Sequence, residues 1–176
     1  MLKALHTWLG FREEPPEAGP APLANLLALL DRLEPVRAQF LARFAFLLGR
    51  VAHVDEHFSD EEARAMQIVL IEQAHLPAAQ AELVVNLART SRQMFGKTTD
   101  FTVTQEFTDS ASYEERLGLA QCLFAIAGSD DRISTTEEAE LHRISNQLRI
   151  EGPDLLKIRL RYRPMLPGLA SRPPER

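Results

Sequence analysis

The residues with the most chemistry to offer stand in two acidic stretches that repeat one another. RVAHVDEHFSDEEA (residues 50–63) and AIAGSDDRISTTEE (residues 125–138) are offset by 75 positions, which lays Asp55 on Asp130, Phe58 on Ile133, Ser59 on Ser134 and Glu62 on Glu137. Asp55, Glu62, Asp130 and Glu137, with Glu56 and Asp131 adding charge, are hard oxygen donors of the kind that hold Ca²⁺ or Mg²⁺. They would act together only if the two turns meet in space. Neither stretch is an EF-hand: counting from Asp55, positions three, six and twelve are His57, Asp60 and Met66, and counting from Asp130 they are Arg132, Thr135 and Leu141. The same spacing also has a purely structural use. A serine followed three residues later by glutamate is a capping box, and acids in a first turn favour the helix dipole. Capping alone, capping with a weak divalent site, and an acidic docking surface are the three readings the spacing allows.

Other chemistry finds less support. Glu72 and His75 have the Glu-x-x-His spacing of di-iron bundles, but a second such pair is missing, and Glu138 and His142 stand four apart as an ordinary helical pair. His53 and His57 flank Asp55 and would suit a transition metal as readily as a solvated helix end. Cys122 lies in the apolar run LAQCLFAIA and is expected to pack as a small hydrophobe. There is no Gly-x-Ser-x-Gly elbow and no phosphate-cradling glycine loop. No catalytic residue and no definite cofactor is assigned, and the chain is expected not to be an enzyme.

The elements that position the acidic turns read as helices throughout. Leu2, Leu5, Trp8 and Leu9 give an amphipathic helix over residues 1–11, and four prolines with three glutamates make residues 12–22 a linker. Helices follow over 23–33 and 36–54, the second apolar on most sides; Ser59 then opens a helix buried through Ala63, Met66, Val69, Leu70 and Ala74. A helix over 77–95 ends at Gly96. TVTQEFT alternates like a strand, but a lone strand has no partner, so a short helix is expected within 97–110. Ser112 with Glu115, and Ser134 with Glu137, cap the next two helices, and Gly152, Pro153 and Asp154 open the last. The domain is expected to span 23–163, with repeat halves of about 36–95 and 112–162 and a disordered tail over 164–176. The fold class is all-α: a single helical domain of about seven to nine helices in two pseudo-repeated halves.

With 176 residues, 45% of them apolar, the chain can bury one sizeable core. A net charge of −5 argues against a nucleic-acid binder, which needs a basic surface. A protein partner is expected instead. Peripheral membrane contact has two candidate routes, the N-terminal helix and the basic end at Lys157, Arg159, Arg161 and Arg163. A weak signal-peptide pattern, no membrane-length apolar run and a lone cysteine lead to a cytoplasmic, possible membrane-associated location as the expectation.

The shared phrase is an apolar residue, alanine, two residues, aspartate, two residues, apolar, serine, two residues, glutamate. Through Asp55, Phe58, Ser59 and Glu62, and again through Asp130, Ile133, Ser134 and Glu137, the chain resembles the TerB family of tellurite-resistance proteins over roughly residues 36–162. The family's motif is an alanine-aspartate-glycine turn, then an apolar residue, a helix-capping residue and a glutamate. Here the glycine is replaced by Glu56 and Asp131, and the alanine by Val54 and Ser129. The resemblance implies an all-α domain in two related halves with no established reaction, associated with metal-oxyanion and other stress responses. Similar domains occur in membrane-anchored DnaJ-type co-chaperones, which implies a sensing, signalling or scaffolding module.

Overall fold

A computed structural model describes residues 21–51, 60–91, 100–129 and 131–166. Among these the chain forms eight α-helices: α1 (Ala21–Leu30), α2 (Pro35–Val51), α3 (Asp60–Ala74), α4 (Ala78–Ser91), α5 (Asp100–Ser110), α6 (Tyr113–Ala127), α7 (Thr135–Gln147) and α8 (Gly152–Arg161). A 3-10 turn, Arg163–Met165, follows α8. The helical class and the helix count agree with the sequence. α1 starts two residues earlier than expected, since Pro22 sits in a first turn where a missing N–H costs no hydrogen bond. It also ends earlier, tightening through Arg32 N–H to Leu29 O and Leu33 N–H to Leu30 O before Pro35 restarts the chain as α2.

α2 is the buried axis. Every residue from Phe40 to Gly49 is buried, so the helix is covered on most sides, as its sequence predicts. It packs on α4, α5 and α6. Phe40, Phe44 and Phe107 form an aromatic cluster with ring centres 5.4–6.0 Å apart, joining α2 to α5. Each such ring, fully buried, contributes about 1.5–3 kcal/mol relative to exposure. The strand-like stretch is helical: Val103, Thr104, Phe107 and Thr108 are all buried, a pattern of helical and not alternating period.

The two halves interlock. In each, the first helix packs on the third, α2 on α4 and α6 on α8; across the halves, α3 packs on α6 and α7 meets α2. A Cβ on Gly118 would stand 3.2 Å from the Ala74 Cα, so glycine is what lets α6 and α3 approach so closely. Cys122 lies in this contact with its thiol donating to Val69 O at 3.8 Å. Burial pushes that thiol up to about 12, so it stays protonated and packs as the small hydrophobe expected.

Polar side chains tie the helix ends. Arg43 is 5% exposed on α2 and donates to Glu106 O, Glu106 Oε2 (3.0 Å) and Ser110 Oγ, fixing α5 against the core. Its desolvation lowers the guanidinium pKa, an effect the Glu106 carboxylate opposes. Arg116 donates to Leu148 O at 2.8 Å and closes the end of α7. No helix among the described residues is long and apolar enough to cross a membrane.

Candidate functional site

The second acidic turn, between α6 and α7, is built from local rules. α6 ends at Gly128, whose N–H donates to Phe124 O at 3.0 Å, and Ser129 N–H returns to Ile126 O. Asp131 N–H then reaches Gly128 O at 3.2 Å with Asp131 at φ 57°, a left-handed conformation that L-residues avoid and that glycine, asparagine and aspartate tolerate best. Ile133 turns inward, 1% exposed, and Ser134 caps α7.

Both arms of the expected capping box are formed. Ser134 Oγ accepts the Glu137 N–H at 3.2 Å, and Glu137 Oε2 accepts the Ser134 N–H at 2.7 Å. Ser112 and Glu115 make the same pair at α6, outside the repeated motif and with no acidic turn before it. Among the described residues, serine and glutamate at this spacing therefore start a helix at both of their occurrences. The neighbouring acids are also engaged: Glu138 pairs with Arg159 on α8, and Glu140 with Arg143 at 2.7 Å. The ordinary helical pair expected of Glu138 and His142 is not among these contacts: Glu138 is taken by Arg159, and His142 Nδ1 faces the Asn146 amide.

Asp131 differs from all of these. It is exposed at the tip of the turn beside exposed Arg132, and its carboxylate has no partner among the described residues. Of the other candidates, Asp55, Glu56 and Asp130 lie outside the described residues, as do His53 and His57; Glu62 falls in the first turn of α3, its side chain outside the description. Among the described residues no three His, Cys, Asp or Glu side chains gather as they would around a metal ion. His75 follows α3 at φ 52°, exposed, with Leu76 N–H bonded back to Leu70 O, so it terminates a helix.

One part of the site was missed by the sequence reading, which placed a disordered tail from Pro164. The described chain continues to Leu166, which is 1% exposed, and Met165 O accepts the Ile133 N–H at 2.8 Å. The Met165 sulfur and the Tyr162 ring cover Gly128, 3.0 and 3.2 Å from where a Cβ would stand, and Tyr162 lies 6.0 Å from the Phe124 ring. The signal available was the apolar spacing of Tyr162, Met165 and Leu166, obscured by the proline and arginine around it.

A protein-family model described as Tellurite resistance protein TerB matches residues 41–160, from within α2 to the end of α8. No curated protein and no solved structure matches the chain.

Proposed function

From the premise that the chain belongs to the TerB family, matched over residues 41–160, we propose that it is a non-catalytic module serving a stress response of the tellurite-resistance type by docking a cationic partner segment at its acidic turns. Asp131 carries this reading. The fold uses Glu137 as a cap and binds Glu138 and Glu140 to arginines, yet leaves Asp131 exposed on a backbone better suited to glycine. A charged side chain held in a sparsely populated conformation, with no stabilising contact among the described residues, fits a role outside the fold. Glu56 occupies the equivalent position in the first copy. A partner presenting lysine or arginine would gain on-rate and register from these carboxylates more than raw affinity.

The test is survival of a tellurite-sensitive bacterial host expressing the full chain, compared with Glu56→Lys and Asp131→Lys, singly and together. The reading expects protection by the wild-type chain that falls in each variant while its helical circular dichroism is unchanged. Protection equal to wild type in the double variant would remove the docking role.

The alternative, a divalent-cation site formed by Asp55, Glu62, Asp130 and Glu137, draws on the oxygen-rich donor set alone; Glu137 already gives Oε2 to its cap.

A further inference from the structure

We propose that Tyr162–Leu166 is a releasable strap that holds the second acidic turn in the shape that displays Asp131. This rests on the docking reading for its purpose, and on the contacts alone for its existence. Ile133 stands between the left-handed Asp131 and the cap residue Ser134, so whatever fixes Ile133 fixes the direction in which the turn tip leaves α6 and enters α7. That anchor is the Met165 carbonyl, 2.8 Å from the Ile133 nitrogen. The same short segment covers Gly128 at the start of the turn through the Met165 sulfur and the Tyr162 ring.

The segment is built to release more easily than a core helix. It is a single 3-10 turn closed by Met165 N–H to Tyr162 O at 2.9 Å and Leu166 N–H to Arg163 O at 3.3 Å. Arg163 and Pro164 are exposed, Met165 is half-buried, and Leu166 supplies the one fully buried side chain. Short segments with few buried groups open locally at a fraction of the global unfolding free energy. Release frees the Ile133 N–H and the Leu166 side chain together, so the turn loses its anchor while α6 and α7 keep their caps.

Amide hydrogen exchange on the full chain, with no partner present, tests the strap from both sides. Leu166→Asp pulls from the strap, since a carboxylate is not accommodated at a 1% exposed apolar site. Gly128→Ala pushes from the turn: its φ of −88° suits alanine, and the atoms nearest the added Cβ are the Met165 sulfur at 3.0 Å and the Tyr162 ring at 3.2 Å, followed by Phe124 O at 3.3 Å. In both variants the Ile133 amide is expected to exchange at least about tenfold faster, with amides of α2 and α6 unchanged and Leu166→Met close to wild type. Unchanged Ile133 protection in both variants would overturn the strap. Accelerated exchange throughout α2 and α6 would overturn it equally, by making the segment part of the core. Because no partner takes part, failure of the survival test leaves this result unaffected, and the reverse holds too.

Discussion

Replacing Asp131 by glycine, asparagine, alanine and valine separates what its backbone demands from what its side chain does. At φ 57° a residue with a Cβ carries a cost of about 1–2 kcal/mol that glycine escapes and aspartate partly avoids. Asp131→Gly relieves that strain but enlarges the entropy of the unfolded chain by about 0.4–1 kcal/mol, so the two nearly offset and stability should move by less than about 0.5 kcal/mol. Asp131→Asn should be neutral, because asparagine tolerates the same conformation and the carboxylate has no partner among the described residues to lose. Asp131→Ala should cost about 1 kcal/mol and Asp131→Val about 2 kcal/mol, the β-branched side chain fitting this region worst. His75 and Arg149, at φ 52° and 53°, are internal controls. His75→Gly should be neutral to mildly stabilising, and Arg149→Gly less favourable because its ion pair with Asp109 at 3.1 Å goes with it. The assay is urea unfolding followed by circular dichroism, with the slope unchanged across the series. A neutral Asp131→Val would refute the left-handed turn, and an Asp131→Gly loss above about 1 kcal/mol would refute the claim that the carboxylate is idle in the fold.

Four further outcomes follow from the same geometry. Ser134→Ala and Ser112→Ala should each cost about 0.5–2 kcal/mol in urea unfolding, the range for removing a helix cap. Glu106→Gln should cost about 1–3 kcal/mol, below the figure for a fully buried pair because Glu106 is half exposed, while Arg43→Met, which removes the charge and keeps the bulk, should be near neutral in the same assay. Hydrogen bonds from Lys157 and Tyr113 hold the Asp154 carboxyl below its usual range; the stability this gives is present above the unfolded carboxylate value and is lost as pH falls through the lowered one, so the acid limb of melting temperature below about pH 4 should flatten in Asp154→Asn. Calorimetric titration of Ca²⁺, Mg²⁺, Mn²⁺ and Zn²⁺ into metal-free protein should give no saturable heat, whereas tight binding abolished by Asp55→Asn and by Asp130→Asn would establish the metal reading instead.

What the sequence made legible is what short-range physics decides. The boxes at Ser112 and Ser134 depend on residues three apart, and both formed. The buried stripe of α7, Leu141 and Ile144 continued by Leu148 at its C-cap, follows from helical period alone. The segment around Val103 was harder because threonine and alternation favour a strand locally, and only the want of a pairing partner pointed to a helix. Contacts between distant parts of the chain left no local mark. Arg43 finds Glu106 63 positions away, and Met165 finds Ile133 by way of a turn between proline and arginine. Composition there suggested solvation, while the contacts of Met165 and the burial of Leu166 come from tertiary packing. At the acidic turn, the sequence separated the capping serine and glutamate from the remaining carboxylates; the left-handed φ of Asp131 adds that one of those carboxylates sits on a backbone that favours glycine.

The central claim is that the motif's serine and glutamate build the turn while the carboxylate at its tip acts outside the fold. Asp131→Gly and Ser134→Ala put these roles in opposition when urea stability and survival on tellurite are measured in the same full-length protein and host. The account predicts that Asp131→Gly keeps wild-type stability and loses protection, and that Ser134→Ala loses about 0.5–2 kcal/mol yet protects in proportion to its folded population. Full protection by a stable Asp131→Gly protein would contradict it.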